Sequence, residues 1–238
     1  MQVSSYGITN KGKVRHTNED AFFVDEAHQV YAVADGLGGL PGGAQASQRI
    51  VQLLEQTMKR VDSIEERVDL TELINGINEI VAKEGLEDYP FTGTGSTLTI
   101  GQIVGDQLLI GHIGDSAAYI LRGEDLQRLT VDHTLAQEYI NREGESARAA
   151  MPPEYSHTLT RCVGQGKTLR VDNARITIEP GDRILLCSDG LDKVISNEAI
   201  KGELARKQNP EQACLQLTQM ANDNEGPDNI TVIVIHIL

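Results

Sequence analysis

The 238-residue chain has no tryptophan, and aromatic residues make up only 4% of it, so any core must be aliphatic. Basic residues are in the minority, 21 against 35 acidic ones, which leaves a formal charge of −14. Nothing here would neutralise a nucleic-acid backbone, and the scattered Lys and Arg form no polybasic patch for a membrane surface. Cysteine is scarce: Cys162, Cys187 and Cys214 are an odd number without C-x-x-C spacing. They read as reduced thiols rather than a disulfide framework or a zinc site. Met1 to Asp20 has no apolar stretch of the kind found in a signal peptide. The longest apolar run, Ile230 to Leu238, is too short to span a bilayer and is interrupted by His236. A soluble, cytoplasmic, monomeric protein is expected. Linkers and low-complexity tracts are absent as well, so 1–238 reads as one domain.

Aliphatic runs bounded by Gly, Asp or Pro predict strands at 29–34, 96–104, 107–113, 117–121, 173–178, 183–188 and 230–237. Gly105-Asp106 predicts a two-residue hairpin turn, and Gly123-Glu124-Asp125 a slightly longer one. Helical periodicity places Ile50, Val51, Leu54, Met58 and Val61 on one face over 45–61, and Leu73, Ile74, Ile77, Ile80 and Val81 on another downstream. Further helices are predicted at 197–207 and after Asn209-Pro210-Glu211-Gln212, an N-cap, first-turn proline and capping-box pattern. Each helix has one apolar stripe. Two antiparallel sheets face to face with helix pairs outside, an α+β four-layer α-β-β-α sandwich, would satisfy every apolar face. Residues 133–165 carry little apolar periodicity beyond a short helical pattern, and read as a flap beside a site.

Four aspartates stand where such runs meet small or polar residues: Asp35, Asp115, Asp189 and Asp228. Each alone would pass for a turn residue. Together they make a hard, all-oxygen set without the His/Cys pattern of zinc or the contiguous loop of an EF-hand. Mg²⁺ or Mn²⁺ fits that set. Two such ions sharing Asp35 would hold a water and lower its pKa toward neutrality, machinery suited to phosphomonoester hydrolysis. Five glycines within residues 36–43 let backbone approach a ligand, without the Lys-Ser/Thr of a P-loop. Before them, Arg15 could grip phosphate oxygens while Glu19 and Asp20 hold metal-bound waters.

Arg-x-x-Asn-Glu-Asp (15–20), Asp-Gly-x-Gly-Gly (35–39), Gly-Thr-Gly-Ser-Thr-Leu (93–98), Gly-Asp-Ser (114–116), Leu-Thr-x-Asp-His-Thr (129–134), Leu-Thr-Arg-x-x-Gly (159–164), Asp-Arg-Ile-Leu-Leu-Cys-Ser-Asp-Gly-Leu (182–191) and Asp-Asn-Ile-Thr (228–231) follow in order. In that order they resemble the metal-dependent protein phosphatase 2C family in its compact bacterial form. The resemblance implies phosphoserine and phosphothreonine hydrolysis by metal-bound water, with phosphorylated proteins and a cognate Ser/Thr kinase as partners. It implies that Asp35 bridges two core ions, that the Gly36 carbonyl serves one, and that Asp189 and Asp228 serve the other. Glu19 and Asp20 would act through coordinated water, Asn229 from behind the ligands, and Arg15 on the substrate phosphate. Asp115, with Asp189, matches the acids of a weaker third ion.

Two positions depart from the family pattern. Leu37 stands where many eukaryotic members have a histidine proposed as general acid, so leaving-group protonation must come from metal-bound water or another residue. Ala117 replaces the usual arginine after Gly-Asp-Ser. Of the histidines, His157 reads as structural or substrate-facing, His133 as a local hydrogen-bonding residue and His16 as solvated. Two other readings stay open: a catalytically silent phosphoprotein-binding module, and a small-molecule phosphatase with the same metal chemistry.

Overall fold

The computed structural model describes residues 1–61 and 67–238. Strands β1 (Val3–Asn10), β6 (Ala117–Arg122), β7 (Asp125–Arg128), β9 (Arg183–Cys187) and β10 (Ile230–Ile237) form one antiparallel sheet in the order β1-β10-β9-β6-β7. Strands β2 (Asp20–Asp25), β3 (Val30–Asp35), β4 (Leu98–Val104), β5 (Gln107–Ile113) and β8 (Asp172–Thr177) form the other, in the order β2-β3-β4-β5-β8.

The central strands are apolar at nearly every position because both of their faces are covered. Side chains alternate across a strand. In β3, Tyr31 and Val33 therefore enter the core between the sheets, while Val30, Ala32 and Ala34 face the helices α1 (Gly43–Met58) and α2 (Leu70–Asp88). In β10, Ile233, Ile235 and Ile237 point between the sheets. Ile230, Val232 and Val234 point toward α4 (Asp189–Asp192), α5 (Asn197–Leu204) and α6 (Pro210–Asp223). The result is the expected α-β-β-α layering.

The local signals behave as chemistry requires. Asn209 and Gln212 close a reciprocal capping box with Pro210 in the first turn of α6. Asp69 caps α2 by accepting from the Thr71 and Glu72 N–H groups. Gly105, at φ +61°, turns the β4–β5 hairpin in two residues. The β6–β7 hairpin is equally tight, its turn being Gly123-Glu124 alone. Three strands are missing from the predicted set: β2, also an edge strand, begins and ends on aspartates, and the other two lack an apolar run. β1 is only half-buried along its length and β7 is short and polar; both lie at sheet edges. Ile80, placed by periodicity on the inner face of α2, is exposed instead.

Between β7 and β8 the chain forms α3 (Leu135–Glu143) and two short 3-10 helices, Glu145–Ala150 and Pro153–His157. Tyr139 and Tyr155 meet edge to face at 6.3 Å, and single bridges join Thr134 to Leu159 and Ser96 to Val163. The first bridge closes the segment on itself; the body holds it at Val163 and, through the His133 N–H donating to the Gly114 carbonyl, at its start.

Candidate metal centre at one end of the sandwich

Antiparallel pairing explains why distant acids meet. It sets the C-terminal end of one strand beside the N-terminal end of its neighbour. Asp20 opens β2 and lies directly opposite Asp35, which closes β3. Asp115 follows the end of β5, which pairs with the start of β4. In the other sheet Asp189 follows β9 and Asp228 precedes β10, its antiparallel neighbour. All five carboxylates therefore map to the same end of the two sheets.

There they surround an open cleft of about 640 Å³ lined by Arg15, Glu19, Asp35, Gly36, Leu37, Asp115, His157, Asp189, Asp228 and Asn229, among others. Of the residues that the sequence assigned to metal or phosphate, only Asp20 is not on its wall. It lies beneath, buried, where one carboxylate oxygen accepts from the Ser188 and Thr231 hydroxyls, each at 2.7 Å. Its other oxygen has no hydrogen-bond partner. Arg15 reaches 2.7 Å to Asp228 from the cleft's edge. Asn229 fixes the loop that carries Arg15: its amide donates to the Lys11 and Thr17 carbonyls and its oxygen accepts from the Glu19 N–H.

The backbone around these acids is packed too closely for side chains. A Cβ on Gly36 would stand 2.3 Å from the Gly43 carbonyl oxygen, and one on Gly190 would stand 2.0 Å from that of Asn229. Gly190 thus lets the Asp189 turn seat against the Asp228-Asn229 segment.

Electrostatically the cluster is strained. Burial pushes the Asp35 carboxyl well above the usual range, and Asp20, Asp189, Asp115 and Asp228 push it further. Burial likewise raises Asp20 to about 7, against the pull of its two hydroxyl partners. Asp115 rises to about 6 through burial and the Asp189 charge, and Lys193 offsets part of this. Buried like charges need a cation, and an all-oxygen set with an unpartnered buried oxygen calls for a hard one. Among the described residues, no three His, Cys, Asp or Glu side chains close on a single point as a ready-made cage. The donor chemistry, carboxylates and backbone carbonyl alone, suits Mg²⁺ or Mn²⁺, which keep several waters and take few protein oxygens each.

Sequence reasoning passed over Lys193, Ser188, Thr231 and Thr97. Thr97 Oγ1 accepts from the Asp35 N–H at 3.0 Å and bonds Ser116 at 2.7 Å, which fixes the end of β3. Lys193 carried a readable signal, a cation four residues after Asp189. His133 accepts from the Gly114 N–H and lies 3.2 Å from Asp172, a local role as expected; His16 is exposed. Cys187 and Cys214 are buried free thiols, whereas Cys162 is half-buried on the cleft wall. No helix among the described residues is long and apolar enough to cross a membrane.

Comparison with known proteins agrees with this geometry. The chain is 30% identical to the protein phosphatase PhpP of Streptococcus pneumoniae, over 99% of this chain and 97% of that protein. It superimposes on the Ser-Thr phosphatase MsPP of Mycobacterium smegmatis with a TM-score of 0.85 at 33% identity, covering 99% of this chain and 98% of that one. The catalytic domain of the phosphatase PstP, solved with two manganese ions, matches with a TM-score of 0.83 at 30% identity, over 99% and 98% of the two chains. The family model for protein phosphatase 2C matches residues 11–227. A match of that extent, on a sandwich whose acids meet where the motifs place them, makes this chain a member of the protein phosphatase 2C family.

Proposed function

We propose that the chain is a metal-dependent serine/threonine protein phosphatase that hydrolyses phosphoserine and phosphothreonine monoesters and opposes a Ser/Thr kinase. It would act as a monomer in the cytoplasm, with 1–238 as one catalytic unit and 133–165 as its flap. The observation that carries this reading is the convergence of acids from both sheets on one cleft with Arg15 at its edge.

Asp35, the Gly36 carbonyl, Asp189 and Asp228 would hold two Mg²⁺ or Mn²⁺ ions, with Glu19 and Asp20 acting through water and Asn229 from behind. Bound there, the ions would supply the charge neutralisation and water activation that attack on a phosphate dianion needs. The chain's own groups do the rest. Arg15, held by the loop that Asn229 clamps, presents a planar guanidinium to phosphate oxygens, for which it would exchange its contact with Asp228. Asp20 braces the floor: its hydrogen bonds to Ser188 and Thr231 tie β2 to the opposite sheet. Leu37 faces the cleft without a proton to give, so protonation of the leaving alkoxide falls to a water or to a side chain other than this one.

Hydrolysis of p-nitrophenyl phosphate and of a phosphothreonine peptide in Mn²⁺ tests the assignment. Turnover should vanish with EDTA and in Asp228→Asn. Turnover that survives both would end it.

A further inference from the structure

We propose that Lys193 is an internal cation that occupies the place a third metal ion would take between Asp115 and Asp189, and that it ties the 133–165 segment to the site. This rests on the phosphatase reading above. The Lys193 Nζ lies 2.5 Å from Asp115 Oδ2, 3.0 Å from Asp189 Oδ2 and 3.3 Å from the Ser156 carbonyl oxygen. An ammonium group has three N–H donors and no acceptor, and here each donor has an oxygen to meet. Asp115 is buried, and only 24% of the Lys193 side chain is exposed, so the pairing is shielded from water.

The placement follows from the fold. Asp189 opens the one-turn helix α4, and Lys193 sits just past its end, four residues on, so the two side chains rise on the same face. Asp115 sits in the turn that carries the chain from β5 in one sheet to β6 in the other, beside β9, with which β6 pairs from Ala117 opposite Cys187. The lysine thus ties the β5–β6 crossover to the turn after β9 through their acids. Its third contact is to the 3-10 turn Pro153–His157, whose last residue lines the cleft. A divalent ion entering between Asp115 and Asp189 would have to expel the ammonium, and would break the tie to Ser156 in doing so. Lys193 takes only one carboxylate oxygen of Asp189 and makes no bond to Asp35 or Asp228, so the core ions keep Asp35, Asp228 and the other Asp189 oxygen. The expected set of two core ions and a weaker third therefore reduces, in this chain, to two ions and one lysine.

Mn²⁺ binding to the full chain by equilibrium dialysis, with hydrogen exchange of the 153–159 amides, tests this. Native protein and Lys193→Arg should bind two ions per chain. Lys193→Ala and Lys193→Met should bind three, and in the absence of metal their 153–159 amides should exchange several-fold faster. The Met variant keeps the side chain's length, so loss of packing does not mimic the result. Three ions on the native chain, or an unchanged count in both neutral variants, would overturn the proposal while leaving the native chain active on p-nitrophenyl phosphate. A native chain that neither binds Mn²⁺ nor hydrolyses that ester would instead bring down the phosphatase reading, and this inference with it.

Discussion

The middle of the sandwich and its acidic end are made by the same strands and obey opposite rules. In β3, Val33 is fully buried among Ile110, Leu186 and Ile233, and two residues later Asp35 enters a field of four other carboxylates. β9 passes from Leu186 to Asp189 in three residues, and β10 from Asp228 to Ile233 in five. The aliphatic middle stabilises the fold, at roughly 1.5–3 kcal/mol per fully buried side chain. The acidic end opposes it, because like charges are held together by a scaffold too rigid to let them part. Stability in one region is what permits frustration in the other.

That contrast can be broken most sharply by Asp35→Asn. Removing the central carboxylate should lower kcat/KM about a thousandfold, roughly 4 kcal/mol, in a Mn²⁺ assay. The same change should raise the melting temperature of the metal-free protein, because a repelled charge is gone. A fall in metal-free stability would mean the cluster is not strained. Leu186→Ala is the mirror case. It should cost about 2–5 kcal/mol in denaturant unfolding while the folded fraction keeps its turnover, since the side chain lies between the sheets.

Titration gives a subtler test. Unfolded aspartates release their protons near pH 4, about 3.9, whereas in the metal-free fold Asp115 holds its proton to about 6 and Asp20 to about 7. Between these values the folded state binds more protons, so its stability falls as pH rises through that window. Thermal unfolding in EDTA should therefore show a lower midpoint at pH 8 than at pH 5. The gain on adding Mn²⁺ should be larger at pH 8. A metal-free midpoint that rises over the same interval would contradict the raised carboxyls.

Much of this was legible in the chain because the sandwich buries both faces of its central strands. Runs such as 183–188 and 230–237 have no polar alternative, so their assignment needed no tertiary information. β1 was not legible because its register with β10, from Val3 opposite Ile237 to Asn10 opposite Ile230, is supplied by its partner rather than by its own sequence, Val-Ser-Ser-Tyr-Gly-Ile-Thr-Asn. The acids could be found as strand-end residues, but Ser188, Thr231 and Thr97 could not. Their importance comes from where their hydroxyls point, and Ser or Thr beside a strand usually means nothing more than a turn. Lys193 showed its spacing to Asp189, but its role did not: a lysine four residues from an acid reads as a solvated pair until the β5–β6 turn brings Asp115 alongside.

β10 is the last strand in sequence, yet it lies inside its sheet between β1 and β9. A growing polypeptide that has not yet yielded residues 228–237 leaves β1 without its β10 neighbour, and Arg15 without Asp228 and Asn229. Closing of the sheet and assembly of the Arg15 grip are thus one event, because the segment that completes the first carries in the partners of the second.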